Sequence, residues 1–187
     1  MKTSNVTKKN TNKRIPIFLS AKKNDFPALD VALLSIKDNI SSKFEYAVYI
    51  LHEGMETELQ QTIARLSDKK FQIVFIDVSG YQDGDMAYHA ILPTLCPNME
   101  KALHFNCNVV ALSDIAELYN AELSTQSSAF CFPKLLDYSA GKKPWHYTDV
   151  PYQDYFWKYA VQSVFYKELL FRLKNFVSEE TTQAQVF

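Results

Sequence analysis

The chain has 187 residues, 47% hydrophobic and 22% charged, which suits one globular domain with a sizeable core. Its net charge of −1 supplies no basic field and argues against nucleic acid as a partner. Three cysteines, Cys96, Cys107 and Cys131, match neither a zinc site nor a disulfide framework and read as reduced thiols. The polar, basic N-terminus lacks the apolar core of a signal peptide, and no apolar run is long enough to span a membrane. The expected location is therefore the cytoplasm, with peripheral membrane contact as an alternative. The sequons at Asn5 and Asn39 carry no weight without a secretory signal.

Residues 1–14, rich in Lys, Asn and Thr, are expected to be a disordered leader to a domain over 15–177. Ile15 to Ala21, "IPIFLSA", reads as a buried strand. Phe26 to Ile40 carries a wide apolar helix face through Leu29, Leu33 and Ile36. Tyr46 to Leu51 is strand-like, and Glu56 to Leu66 reads as a helix with Leu59, Ile63 and Leu66 on one side. Phe71 to Val78 is the third strand. Strands alternating with helices predict an α/β parallel sheet. After a polar loop from Ser79 to Asp85, Ala87 to Leu95 is expected to be a short helix. Ala102 to Phe105 is the fourth strand, and Val109 to Leu112 continues it or begins a neighbour. Ser113 or Asp114 suits the cap of a helix reaching Tyr119. Ser128 to Phe132 reads as another strand and Ala140 to Pro144 as a loop. Pro151 suits the first turn of a long aromatic helix, interrupted near Gln162-Ser163. The tail, 178–187, is polar and expected to fray.

In open α/β sheets, ligands bind beyond the carboxyl ends of the strands. That rule gathers Lys22, Lys23 and Asn24, His89, and Asn106-Cys107-Asn108 around one crevice.

The stretches quoted so far also resemble a known family. "IPIFLSAKKNDFPALDVALLSI", the block from Ala87 to Leu123 and "DYSAGKKPWHYTDVPYQDYFWKYA" look like the opening, centre and C-terminal signature of glycosyltransferase family 8. These are retaining transferases that use UDP-glucose or UDP-galactose, and they include lipopolysaccharide sugar transferases. The resemblance covers about residues 15–175. It implies a nucleotide-diphospho-sugar transferase fold of type A, a Rossmann-like mixed sheet with flanking helices. It also implies a metal site built from Asp-x-Asp at the end of strand four and a His in the C-terminal signature, holding Mn²⁺ on the diphosphate.

Nearly every polar position departs from that pattern. The Asp pair aligns with Asn106 and Asn108, the His with Asp137, and an arginine of the central block with His89. The signature glycine aligns with Ala140, next to Gly141. The opening motif, two acidic residues then Asn and Tyr, reads Lys22-Lys23-Asn24-Asp25, with Phe26 one place beyond the missing ring. Lys143, Pro144 and Trp145 remain, and in the family that lysine contacts the diphosphate. The long acceptor segment of the family, with its Asn-Ala-Gly and Asp-Gln-Asp motifs, is missing: Phe132 to Leu136 joins the central block almost directly to the C-terminal signature.

Two Asp and a neutral His carry two negative charges; Asn, Asn and Asp carry one, and amide oxygens can ligate a hard cation without adding charge. Asn106 and Asn108 therefore read as a strand-end turn, with Asp137 completing a vestigial metal set. The nucleotide-sugar positions by resemblance are Ala21, Lys22, Lys23, Asn24, His89 and Lys143. The plainer readings are a solvated loop for Lys22 and Lys23, a packed or surface His89, a buried thiol for Cys107, and a packing role for Lys143-Pro144-Trp145. No catalytic residue and no cofactor are expected; with residual activity the cofactor would be weakly bound Mn²⁺ or Mg²⁺ with a UDP-sugar. Three functions remain open: a degenerate domain serving as a binding or interaction module, as a homo-oligomer or beside another glycosyltransferase; an active hexosyltransferase using a UDP-sugar; or a peripheral membrane or glycan-binding module using exposed aromatic residues after Pro144. Loss of the acceptor segment is also expected to uncover sheet surface.

Overall fold

A computed structural model of the chain describes residues 14–81, 88–121 and 134–184. The expected leader up to residue 13, the end of the loop after strand three, the start of the helix at Ala87, the strand from Ser128 to Phe132 and the last three residues lie outside them. Four strands form the main sheet: β1 (Arg14–Ala21), β2 (Glu45–His52), β3 (Phe71–Asp77) and β4 (Leu103–Asn106). Their order is β3-β2-β1-β4, and every pairing is parallel. β1 thus begins at Arg14, inside the stretch expected to be leader.

The central position of β1 follows from its sequence. Seven consecutive residues from Ile15 to Ala21 are buried, as a parallel strand covered on both faces requires. On one face, Ile15, Ile17 and Leu19 pack with Tyr46, Val48 and Ile50 against α1 (Phe26–Asn39) and α2 (Thr57–Ala64). On the other, Phe18 and Leu51 meet Ile91 of α3 (Tyr88–Leu95).

α1 is buried on two sides. Leu29, Leu33 and Ile36 face the sheet. Ala28 and Val31 face a second cluster containing Trp145, Phe156, Tyr159 and Leu169. A helix apolar nearly all round belongs in an interior, and ten of its fourteen residues are buried. Asn39 closes it: its side-chain N–H groups donate to the Ser35 carbonyl at 2.9 Å, the Ala111 carbonyl at 3.1 Å and the Tyr159 hydroxyl at 3.1 Å. The amide of this sequon is a structural link.

Val109 to Leu112 does not extend β4. β5 (Val109–Ala111) leaves the main sheet and pairs antiparallel with β6 (Leu135–Asp137). The stretch around Leu135, expected only to connect two blocks, is therefore a strand, and the antiparallel part of the expected mixed architecture sits in its own two-stranded sheet. After β5, Asp114 Oδ1 accepts the Ala116 N–H at 2.9 Å in the turn ahead of α4 (Ala116–Asn120); the cap position is Ile115, so neither Ser113 nor Asp114 occupies it.

The aromatic helix breaks where expected. α5 (Gln153–Ala160) and α6 (Tyr166–Ala184) flank Ser163, whose Oγ accepts the Phe165 N–H at 3.1 Å and donates to Asp30 Oδ2 at 2.7 Å. Pro151 precedes the helix rather than entering its first turn, because Tyr152 before α5 is left-handed, with φ 59°. The tail expected to fray from residue 178 continues α6 to Ala184; Glu, Gln and Ala are good helix formers once a packed helix leads into them.

His52 stabilises the turn after β2. It is 2% exposed, and its Nδ1 accepts the Met55 N–H at 3.0 Å. Burial pushes its pKa below the ordinary 6.5, with Asp77 opposing the shift. The unfolded chain then binds more protons than the folded one below about pH 6.5, so stability is fully present above that value and declines as pH falls through it. Denaturant midpoints measured across this window are expected to fall on acidification. His52→Gln is expected to shallow that slope, leaving the part due to His146, which burial also shifts downward.

Candidate functional site

The carboxyl ends of β1 and β4 lie side by side, with Ser20 in register with Asn106. This pairing assembles a small polar cavity. It has a volume of about 210 Å³ and is lined by Ser20, Lys22, Asp25, Tyr88, Asn106, Cys107, Asn108 and Ser139. β1 supplies Ser20, the turn before α1 supplies Lys22 and Asp25, α3 supplies Tyr88, the β4–β5 turn supplies the Asn-Cys-Asn stretch, and the turn after β6 supplies Ser139.

The side chains are already linked. Ser20 Oγ donates to Asn106 Oδ1 at 3.2 Å, and Asn106 Nδ2 donates to Ser139 Oγ at 3.3 Å. The turn is fastened through its backbone: Cys107 N–H donates to the Ser20 carbonyl at 3.1 Å, and Tyr138 N–H to the Asn108 carbonyl at 2.8 Å. Cys107 is 2% exposed, and burial, with Asp25 nearby, pushes its thiol pKa well above the ordinary value. That leaves an inert thiol rather than a nucleophile. Tyr88 donates its hydroxyl to Glu53 Oε1 at 2.6 Å, and burial together with this hydrogen bond holds its pKa high.

Of the positions singled out in the sequence, Lys22, Asn106 and Asn108 meet at this cavity. Ala21 is the buried last residue of β1. Lys23 and Asn24 lie in the adjoining turn, where the Asn24 carbonyl accepts Arg172 Nη1–H at 2.6 Å. His89 lies in α3, and its side chain is outside the described residues. Asp137 Oδ1 accepts the Ser139 N–H at 2.7 Å. Lys143 directs its ammonium at backbone, donating to the Tyr138 carbonyl and, at 2.7 Å, to the Ser139 carbonyl. Trp145 is 4% exposed and packs on Phe156 with ring centroids 5.1 Å apart. Ser20, Asp25, Tyr88 and Ser139 were not singled out. The pairing of β1 with β4 would have flagged Ser20, since it places Ser20 directly beside Asn106.

The donor set does not fit a hard divalent cation. Asn106 spends its amide oxygen on Ser20, Asp137 is the one carboxylate among the three family positions and accepts the Ser139 N–H, and the Lys143 ammonium lies close behind Ser139. Among the described residues no group of three or more His, Cys, Asp or Glu is placed to hold a metal ion. Hard cations are held by anionic oxygens in number.

A far larger groove, about 1,100 Å³, opens at the other end of the strands, over the face away from α1. It is lined by Pro16, Ala47, Tyr49, Phe44, Met99 and Tyr119 among others. Within it Pro16 and Ala47 are buried and Tyr49 is half-buried. Exposed apolar side chains also occur on the C-terminal helices at Tyr155 and Phe171, with Tyr152 just before them and Val161 in the break between them. No described helix is long and apolar enough to cross a membrane.

No protein-family profile and no curated protein matches the chain. Solved structures do. The apo structure of WbbM, a bifunctional glycosyltransferase, superposes with a TM-score of 0.55 at 16% identity, over 59% of this chain and 21% of that one. The galactosyltransferase LgtC with donor and acceptor sugar analogues gives 0.45 at 15% identity, over 59% and 44%. The glycosyltransferase GlyE of Streptococcus pneumoniae TIGR4 gives 0.47 at 12%, over 59% and 28%. The chain thus spans less than half of each. The likeness to WbbM carries the fold: a Rossmann-like glycosyltransferase fold of type A, with a parallel sheet between helices. The chain thus has the fold of a glycosyltransferase domain.

Proposed function

We propose that this chain is a trimmed relative of glycosyltransferase family 8 that lacks, or nearly lacks, metal-dependent UDP-sugar transfer and acts as a binding or interaction module. One observation carries the reading. At the strand end where a metal-dependent donor site needs two carboxylates, Asn106 and Asn108 stand instead, and Asn106 is hydrogen-bonded on both sides to serines. A metal there supplies charge that neutralises the leaving diphosphate, and neutral amides already tied to the protein are poor partners for it. The interaction half of the reading draws on the groove at the other end of the strands, which suits a second copy of the chain or another glycosyltransferase in the cytoplasm.

The test is turnover. UDP-glucose and UDP-galactose are offered with Mn²⁺ or Mg²⁺, and release of UDP is followed with and without an active transferase as partner. No release attributable to this chain is expected. Metal-dependent release would make the chain an active hexosyltransferase and overturn the proposal. Sedimentation velocity over a range of concentrations addresses self-association, with a monomer throughout counting against the homo-oligomer.

A further inference from the structure

The cavity beside Asn106 has its own chemistry, which differs from that of a nucleotide site. Its size is the first point. At about 30 Å³ per water, 210 Å³ is room for roughly seven waters. Pockets for drug-sized ligands run from about 300 to 1,000 Å³, and a nucleoside diphosphate sugar belongs to that larger class. A single small ring fits the smaller space.

Charge is the second point. The lining brings one ammonium, Lys22, and one carboxylate, Asp25, which cancel in formal charge. The cations that flank it are committed to protein acceptors: Lys143 to the Tyr138 and Ser139 carbonyls, and Arg172 to the Asn24 carbonyl and Glu168. An anion gains little from this arrangement.

Hydrogen-bonding capacity is the third. Three hydroxyls (Ser20, Tyr88, Ser139) and two amides (Asn106, Asn108) line the space; the Ser20 and Tyr88 protons are given to Asn106 and Glu53, which leaves the Ser139 hydroxyl, the Asn108 amide and the remaining lone pairs to a ligand. Hydroxyls and amides both donate and accept, and so does every hydroxyl of a sugar or cyclitol. Tyr88 adds an aromatic side chain, which suits the C–H face of such a ring.

We propose that this cavity binds one neutral polyhydroxylated ring, a monosaccharide or cyclitol, without a metal ion. The proposal rests on the reading that the crevice has kept a binding role while losing its donor chemistry, and it names the ligand class. Ser20 and Asn106 form the preset floor, Ser139 and Asn108 grip the ring hydroxyls, and Asp25 accepts from one of them.

The experiment uses the full chain, isotope-labelled for amide NMR, titrated separately with glucose, galactose and myo-inositol in EDTA, and with inorganic phosphate and UDP as anionic contrasts. The expected result is saturable shifts at Ser20, Lys22, Cys107, Asn108 and Ser139 with at least one neutral ring, unaffected by EDTA. Glucose and galactose against myo-inositol distinguish the two sources of the chemistry. Ser139→Ala, in a loop, is expected to weaken binding roughly five- to tenfold through loss of one hydrogen bond. A second variant, Asn108→Ser, guards against a fold defect in the first. Two outcomes overturn the proposal: no saturable shift with any of the three rings, or tighter binding of phosphate or UDP at these residues. The first leaves the interaction role of the previous section standing; UDP-sugar binding that requires Mn²⁺ would remove both.

Discussion

Asp30→Ala is expected to cost the domain about 2–4 kcal/mol, read as a drop in the urea midpoint at unchanged m-value. Asp30 is fully buried on α1. Its carboxylate meets Arg65 Nη2 at 3.2 and 3.3 Å, and one oxygen also accepts from Ser163 Oγ at 2.7 Å and Val164 N–H at 3.2 Å. One side chain thus ties α1 to the end of α2 and to the break between α5 and α6. Removing it leaves a buried hydroxyl and N–H without their acceptor, each an uncompensated polar group. Arg65 is 35% exposed and can turn to water, which keeps the loss below the full value for severing a buried ion pair. Asp30→Asn, which retains an acceptor oxygen, should fall between. A loss below about 1 kcal/mol for the alanine variant would mean that these contacts do not organise the C-terminal helices.

Trp145→Ala is expected to cost more, about 3–5 kcal/mol, as large-to-small changes of buried aromatics do. Its ring lies against Phe156 at 5.1 Å and beside His146 at 6.1 Å, within the cluster that seats α1 on the C-terminal helices. The loss should appear in thermal and urea unfolding alike. It also separates two explanations for the Lys-Pro-Trp segment. If the segment persists for packing, Trp145→Ala unfolds the domain readily. If it persisted for ligand contact alone, stability would change by less than about 1 kcal/mol.

Much of the fold was legible in the sequence because its signals were local. A run of buried apolar residues marked β1, helical periodicity marked α1 and α2, and the alternation of strands and helices implied parallel order. Ser163 announced the interruption between α5 and α6. What escaped depended on distant partners. β6 is only three residues long, and nothing near Leu135 reveals that it pairs with β5. Tyr152 lies in a left-handed conformation that displaced Pro151 from the helix, and local composition does not report it.

The site divides in the same way. The rule that ligands sit at strand carboxyl ends gathers Lys22, Asn106 and Asn108, and these three line one cavity. It could not supply Ser139, which arrives through β6, nor Tyr88, which sits beside the singled-out His89. It also could not foresee that Lys143 would turn to the Tyr138 and Ser139 carbonyls. Long flexible side chains choose among acceptors that only the folded chain provides.

The most direct test of the central claim is a calorimetric titration of UDP into the chain in Mn²⁺, run beside the Asn106→Asp/Asn108→Asp double variant. The native chain is expected to give no metal-dependent heat with UDP, and the variant, with two carboxylates restored at the end of β4, is expected to gain heat in a separate titration of Mn²⁺ alone. Tight, Mn²⁺-dependent binding of UDP by the native chain would contradict the account.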